Sequence, residues 1–131
     1  MKHLLLALSL TFATPALAEM SAAEFEAYTT GKTLYYGSNG REYGVEEYLD
    51  GRRVRWSFLD GRCRDGEWYE DARGMICFVY EDSTSPQCWS FRRGSQGRLI
   101  ARFEDDPEGT ELYEATQNKE PMMCLGPEIG V

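Results

Sequence analysis

The sequence predicts an all-β domain, an antiparallel meander of about eight strands that closes into a small barrel with one short N-terminal helix. Short runs rich in aromatic and β-branched residues recur at near-regular spacing, and turn-forming residues separate them. Apolar and polar residues alternate within several runs, which is typical of strands with one buried face. A closed barrel is favoured over an open sandwich because closure leaves no unpaired strand edge.

The first 18 residues have the pattern of a secretory signal peptide. Lys2 gives a positive start, an apolar stretch follows, and Ala16-Leu17-Ala18 forms a small-residue cleavage site. The apolar stretch is too short to span a bilayer, and no second candidate span follows it. We therefore expect residues 19–131 to form a single exported domain, periplasmic or secreted, without a transmembrane segment.

The composition of the exported part narrows its function. The chain has 14 basic and 22 acidic residues; the signal segment removes only Lys2 from them, which changes the net charge from −8 to −9. The electrostatic field of an acidic domain does not attract nucleic acid. The only histidine, His3, also lies in the signal segment. Residues 19–131 therefore lack a Ser-His-Asp triad, a Cys-His pair and histidine ligands for zinc or haem, and we expect neither a cofactor nor an enzyme.

The helix and the first two strands are predicted at the start of this domain. Ser21 and Glu24 have the spacing of a capping box, and Gly31 suits a helix end. A helix is expected over 22–30, followed by strands at 32–36 and 43–49 that a turn at 37–40 connects.

Two Asp-Gly pairs predict tight hairpins on either side of a strand at 53–59. Asp50-Gly51 and Asp60-Gly61 suit two-residue type I′ turns, because both central residues then need positive φ. A shift of one residue in either turn would reverse which side chains face inward. The predicted opposite pairs are Leu49 with Arg52, Leu59 with Arg62, Arg55 with Glu46, and an inward-facing Cys63 with Phe58.

The remaining strands follow the same spacing. Gly66 is expected to form a β-bulge in the strand at 62–70. Further strands are predicted at 75–80, 87–93, 98–103 and 110–115. The candidate core residues are Leu34, Val45, Val54, Trp56, Phe58, Trp68, Ile76, Phe78, Trp89, Phe91, Leu99 and Phe103.

Four cysteines in a short exported chain predict two disulfides. Cys77 and Cys88 flank a loop-like segment at 81–86, and a symmetric hairpin would place them opposite each other. We therefore expect the pair Cys77–Cys88, which leaves Cys63–Cys124 to tie the tail to the barrel end. The chain has no C-x-x-C spacing that would indicate a metal or redox site.

Several short motifs resemble those of a known family. The motifs are Gly66-Glu67-Trp68-Tyr69, Ile76-Cys77-Phe78, Cys88-Trp89 and Cys124-x-Gly126-Pro127. Together they resemble a family of small exported alphaproteobacterial proteins of unknown function, over nearly the whole exported part. That resemblance implies no activity or catalytic residue. The Gly-x-Trp segment is also similar to a motif of lipocalin-like barrels, where it lies near the N-terminus instead of mid-chain.

Two groups of side chains are candidate ligand contacts. Four arginines are expected on the outer face of neighbouring strands, where they could bind phosphate or carboxylate; the alternative is cross-strand ion pairing. The tyrosines exceed what a small core can bury, and tyrosine is common both at binding surfaces and in strands. The candidate residues are Arg53, Arg55, Arg62, Arg64, Tyr35, Tyr48 and Tyr69.

Three other polar clusters are better explained as solvated surface groups than as metal or catalytic sites. The acidic loop 104–108 lacks the spacing of a known calcium loop. Met122-Met123-Cys124 lacks a histidine to complete a copper site. The pairs Glu46-Glu47 and Asp65-Glu67 could run glycosidase chemistry only across a cleft. No metal site is predicted.

Three functions remain open at this point. We expect a non-enzymatic periplasmic binding module for a small amphiphile or an envelope component. The alternative is a protein-directed inhibitor of the lysozyme or protease inhibitor type, by analogy with other small disulfide-stapled exported barrels. An enzyme that uses carboxylates alone is the third. An apolar cavity would favour the first, a rigid exposed loop at 82–87 the second, and a carboxylate pair in a cleft the third.

Overall fold

The computed structural model describes residues 19–124 and shows a closed, eight-stranded antiparallel barrel with one short helix. Each strand pairs with the next along the chain, and the last strand pairs with the first to close the barrel. The all-β barrel prediction is confirmed. The expected signal peptide (1–18) and the Gly126-Pro127 part of the C-terminal motif lie outside the described residues.

The elements lie close to the positions that the sequence predicts. They are α1 (Ala22–Thr29), β1 (Thr33–Ser38), β2 (Arg41–Tyr48), β3 (Arg53–Ser57), β4 (Arg64–Glu70), β5 (Ile76–Tyr80), β6 (Gln87–Arg93), β7 (Leu99–Phe103) and β8 (Glu111–Asn118). Single turns of 3₁₀-helix, Asp50–Arg52 and Ser95–Gly97, precede β3 and β7.

The helix α1 closes one end of the barrel. Ser21 caps it as expected, since its Oγ accepts a hydrogen bond of 3.2 Å from the backbone N–H of Glu24. Phe25 is fully buried, and its ring centroid lies 4.4–5.7 Å from those of Tyr48, Trp68 and Phe91. The loops β1–β2, β3–β4, β5–β6 and β7–β8 surround the opposite end, which we call the barrel mouth.

Neither α1 nor any other helix within residues 19–124 is long and apolar enough to cross a membrane.

Inward-facing side chains from the strands fill the core. All three tryptophans are buried there, in agreement with the sequence prediction. Three core candidates behave differently. Phe58 is 46 % exposed because it follows the end of β3 at the barrel mouth, so its assignment to the core is wrong. Phe103 is only partly buried, and Val45 is buried outside the main core cluster.

The β2–β3 turn is one residue longer than the predicted type I′ turn. Asp50, Gly51 and Arg52 form it, with φ of 71° at Gly51 and 61° at Arg52. The N–H of Leu49 therefore bonds to the carbonyl of Arg53, and Leu49 does not face Arg52.

This longer turn shifts the register between β2 and β3 by one residue. Arg55 lies opposite Glu47, and Glu46 lies opposite Trp56, so the predicted pair of Arg55 with Glu46 is wrong. Because successive side chains of a strand alternate between the two faces, Glu46 points into the barrel.

The β3–β4 connection is also longer than predicted. Residues 58–63 form a loop, so Leu59 and Arg62 are not a tight-turn pair, and Trp56 lies opposite Arg64. Cys63 is half-buried in this loop, outside the strands, and does not face Phe58 as a strand partner.

Gly66 belongs to a regular ladder and forms no bulge. It pairs with Val54 on one side and Tyr80 on the other, without a register shift. A β-carbon at Gly66 would clash with the carbonyl oxygen of Val79 and lie 2.8 Å from Cδ1 of Tyr80, so the glycine permits the close approach of β5. Arg64, Gly66 and Trp68 consequently face the barrel interior.

Both predicted disulfides are present. Cys77 and Cys88 are direct partners on β5 and β6, as the symmetric hairpin requires. Cys63–Cys124 joins the C-terminal tail to the β3–β4 loop.

The tail crosses the outside of the barrel before it reaches this disulfide. Thr33 Oγ1 donates a hydrogen bond of 2.7 Å to the carbonyl of Glu120. The N–H of Met122 donates one of 3.1 Å to Oε2 of Glu47. The disulfide and these two bonds hold residues 119–124 against β1 and β2.

Candidate functional site

A cavity opens at the barrel mouth. The space available to the centre of a water molecule is about 50 Å³, which is room for about three to five waters or for the head of a small ligand. Nine of the fourteen lining residues are aromatic, among them Tyr36, Tyr48, Trp56, Tyr80 and Trp89. Apolar walls with a few polar groups are typical of ligand sites.

Aromatic side chains form one side of the rim. The ring centroids of Tyr43, Trp56 and Phe58 lie 5.3–6.0 Å apart in pairs. The guanidinium of Arg64 lies 5.2 Å from the centroid of the Phe58 ring, and its Nε contacts Oδ2 of Asp82 at 3.1 Å. This arrangement keeps an exposed ring and a paired arginine at the entrance.

A buried carboxyl group lies inside the rim. Glu46 is 1 % exposed, and its Oε1 accepts a hydrogen bond of 3.0 Å from the hydroxyl of Tyr80. Its Oε2 is buried without a hydrogen-bond partner among residues 19–124. Burial raises the pKa of Glu46 well above its ordinary value, and the bond from Tyr80 offsets only part of that effect. Glu46 therefore keeps its proton at pH values where a surface glutamate is charged.

Two tyrosines complete the polar part of the cavity. Their hydroxyl oxygens, Oη of Tyr36 and Oη of Tyr48, share a hydrogen bond of 2.8 Å inside the barrel. Burial raises the pKa of both phenols and that of Tyr80. The cavity thus presents neutral hydroxyl groups beside a neutral carboxyl.

Glu114 shows how a carboxyl is accommodated in this barrel when its partners are complete. It is 2 % exposed, and its oxygens accept hydrogen bonds from the hydroxyl of Tyr28, the N–H of Leu99 and the amide of Gln117. Glu46 has one donor where Glu114 has three. Oε2 of Glu46 therefore lacks a partner because it faces the cavity, not because the barrel cannot supply donors to a buried carboxyl.

Only two of the predicted ligand contacts line the cavity, Arg64 and Tyr48. The expectation that Arg64 points outward is wrong, because the longer β3–β4 loop turns its side chain toward the mouth. Arg55 contacts Asp65 at 2.7 Å, which is the ion-pairing alternative.

The other predicted contacts lie away from the cavity. Arg53 donates a hydrogen bond to the carbonyl of Asp50, and Arg62 is exposed in the β3–β4 loop. Tyr35 is half-buried and Tyr69 is 40 % exposed, and neither lines the cavity.

Sequence reasoning missed Glu46, Tyr36 and Tyr80 as site residues. The signal for Glu46 was the step Glu46-Glu47, where two acidic residues interrupt the alternation of β2. One of two adjacent strand residues must face inward. Glu47 lies opposite Arg55 on the outer face, so Glu46 is the residue that faces inward. The tyrosines carried no comparable signal.

The remaining polar clusters are explained by local contacts. In the acidic loop, Glu104 pairs with Arg73 at 3.0 Å, and Asp106 accepts a bond from the N–H of Glu108. Asp71 lies close to the sulfurs of Cys77 and Cys88, but a disulfide sulfur is not a thiolate ligand.

No protein-family model, curated protein or solved structure matches this chain.

Proposed function

We propose that this barrel is a non-enzymatic binding module that holds a small amphiphile in its mouth. The observation that carries the proposal is the cavity itself, in which aromatic walls surround a few convergent polar groups. The apolar part of the ligand packs against Tyr43, Trp56 and Phe58 at the rim. Its polar group reaches Oε2 of Glu46, which has no hydrogen-bond partner, and the hydroxyl of Tyr48, which is bonded to that of Tyr36.

The volume of the cavity limits what can enter. About 50 Å³ accommodates a head group and a few methylenes, so a longer body extends past Phe58 into solvent. The exposed ring of Phe58 gives such a body an apolar surface outside the cavity.

We place the protein in the periplasm or outside the cell. Both disulfides support this placement, because structural disulfides form and persist in oxidising compartments. The signal-peptide pattern of residues 1–18 and the resemblance to small exported alphaproteobacterial proteins support it as well.

The test is a titration with three amphiphiles of equal chain length, 1-hexanol, hexanoate and hexylammonium, followed by tryptophan fluorescence. Trp56 and Trp89 line the cavity and report on its occupation. We expect a saturable change with at least one probe. Ala101 lines the cavity and is 1 % exposed, so Ala101→Leu fills the space and should abolish the change.

Ala115→Leu is the matched control, because Ala115 lies on β8 and does not line the cavity. Retained binding in Ala115→Leu together with loss in Ala101→Leu supports the site. A wild type without a saturable response to any probe, or an Ala101→Leu variant that binds as well as wild type, contradicts the proposal.

A protein-directed inhibitor is the second candidate, and the β5–β6 loop favours it. Most side chains at 81–87 are exposed, and Cys77–Cys88 fixes the base of the loop. The N–H of Ser85 donates to Oγ of Ser83, which restrains the loop further. The activity of lysozyme and of serine proteases is measured with wild type and with the loop variant Thr84→Gly/Pro86→Gly. Inhibition by wild type that the loop variant loses supports this role. No inhibition by wild type rejects it.

A further inference from the structure

The cavity contains a carboxyl group without a counter-charge. Within residues 19–124, Glu46 has one hydrogen bond, from Tyr80, and no basic side chain within ion-pair distance. Arg64 at the rim is paired with Asp82 instead. A buried polar atom without a partner is costly, so Oε2 of Glu46 marks a position that a ligand group can complete.

The surroundings of this carboxyl favour a cation. Aromatic rings attract positive charge through their quadrupoles, and tryptophan does so most strongly. The rings of Tyr36, Tyr48, Trp56 and Tyr80 line the same cavity as Glu46. Arg64 lines it as well, and Asp82 balances the charge of its guanidinium at 3.1 Å. The chain is also acidic overall, with a net charge of −8, which raises the local concentration of cations and repels anionic head groups.

We propose that the cavity binds the head group of an organic ammonium ion, a primary amine on a short apolar body, with one N–H directed at Oε2 of Glu46. This inference rests on the proposed function and names the ligand class of the same site. The ammonium supplies a hydrogen bond to Oε2 and the counter-charge that Glu46 needs once it is ionised. Its apolar body packs on Trp56 and leaves the barrel past Phe58.

Binding of this ligand changes the protonation of Glu46. Burial raises the pKa of Glu46, so the free protein holds it as a neutral acid at pH values between the ordinary pKa of a glutamate and this raised pKa. When the ammonium binds, the carboxyl releases its proton to solvent and pairs as a carboxylate with the cation, so that charge and protons balance. The affinity for an amine therefore rises with pH, and it levels off once the pH exceeds the pKa of Glu46 in the free protein.

The three phenols around Glu46 keep their protons over this range. Tyr36, Tyr48 and Tyr80 face it from β1, β2 and β5, and burial raises the pKa of each phenol. Arg64 faces the cavity from β4, where its guanidinium is paired with Asp82. The pH dependence of binding consequently reports on Glu46.

Calorimetric titration with hexylammonium chloride and with 1-hexanol tests the inference. The two probes have the same chain and differ in the charge of the head group. We expect wild type to prefer hexylammonium, and Glu46→Gln to weaken its affinity by about ten- to a hundred-fold while changing that of 1-hexanol by less than about threefold. Glu47→Gln is the matched control, because Glu47 is outside the barrel and should leave both affinities unchanged.

A second measurement needs no variant. At about pH 5, just above the ordinary pKa of a glutamate, titration in buffers of different ionisation enthalpy should show that protons are released when hexylammonium binds. Equal affinity for the two probes, or an unaffected Glu46→Gln, overturns the ammonium assignment and leaves amphiphile binding in place. Binding without proton release contradicts the protonation change of Glu46. Binding of neither probe, together with no response to hexanoate, overturns both.

Discussion

The hydroxyl of Tyr80 on β5 donates a hydrogen bond of 3.0 Å to Oε1 of Glu46 on β2, across the interior of the barrel. The two strands are not neighbours in the sheet, so the bond connects separate parts of the wall. It is the single polar contact of the Glu46 carboxyl within residues 19–124, and it leaves Oε2 to the cavity.

Removal of that hydroxyl should destabilise the fold. We expect Tyr80→Phe to lower the free energy of unfolding by about 1–3 kcal/mol, because a buried carboxyl oxygen loses its only donor. Urea unfolding followed by circular dichroism measures this change. Tyr69→Phe is the control, since Tyr69 is 40 % exposed and should change little. Equal effects of the two substitutions would contradict the role of Tyr80.

The buried carboxyl should make stability depend on pH. Burial raises the pKa of Glu46 in the folded protein above its ordinary value of 4.5, so the folded state binds more protons than the unfolded state between those two pKa values. The contribution of Glu46 is therefore fully present below about pH 4.5, and it declines as pH rises toward the folded-state pKa.

Comparison with Glu46→Gln isolates this contribution. The variant keeps an acceptor for Tyr80 but does not titrate. The free energy of unfolding of Glu46→Gln minus that of wild type should increase with pH above about 4.5, by up to about 1.4 kcal/mol per pH unit. Urea unfolding at several pH values measures the difference, and a constant difference would show that Glu46 titrates normally.

Close packing at the mouth gives a third prediction. A β-carbon at Gly44 would overlap the ring of Trp56 and lie 2.9 Å from the carbonyl of Ser57. We expect Gly44→Ala to cost about 1–3 kcal/mol of unfolding free energy. Trp56→Phe removes part of the overlap, so the double variant should lose less than the sum of the single losses. Simple additivity would mean that the two residues do not interact.

The two disulfides should differ in their contribution to stability. They close segments of 61 and 11 residues, and chain-entropy estimates give about 4 kcal/mol for Cys63–Cys124 and about 3 kcal/mol for Cys77–Cys88. Unfolding of the paired serine variants, Cys63→Ser/Cys124→Ser and Cys77→Ser/Cys88→Ser, measures both values. The reverse order would contradict the prediction.

Oxidised protein should also show no reactive thiol in denaturant, because all four cysteines are paired. Two or more reactive thiols per chain would contradict the pairing.

The sequence predicted those features that depend on local pattern. Cys77 and Cys88 fall opposite each other because a short symmetric hairpin leaves few alternatives. The capping box at Ser21 and the inward-facing tryptophans follow from the spacing of residues along the sequence.

The register between β2 and β3 could not be predicted in the same way. It depends on Arg52, which adopts a positive φ of 61° and lengthens the turn by one residue. Such a backbone conformation is unfavourable for a residue other than glycine, and nothing in the sequence indicates it at Arg52. That single residue moves Glu46 from the surface to the interior.

The cavity depends on closure of the whole barrel. Glu46 and Tyr80 are 34 residues apart in sequence, and they meet only because eight strands close into a ring. Pairwise strand rules specify neighbours, and this contact joins strands that are not neighbours.

The most direct test of the ligand site uses the indole N–H signals of the three tryptophans in an NMR titration with hexylammonium chloride. Trp56 and Trp89 line the cavity, whereas Trp68 packs against Phe25 near α1 and serves as an internal control. We predict that the signals of Trp56 and Trp89 shift in a saturable manner while that of Trp68 stays in place. A shift of Trp68 alone, or no saturable shift of any of the three, would contradict the binding of an ammonium ion at the barrel mouth.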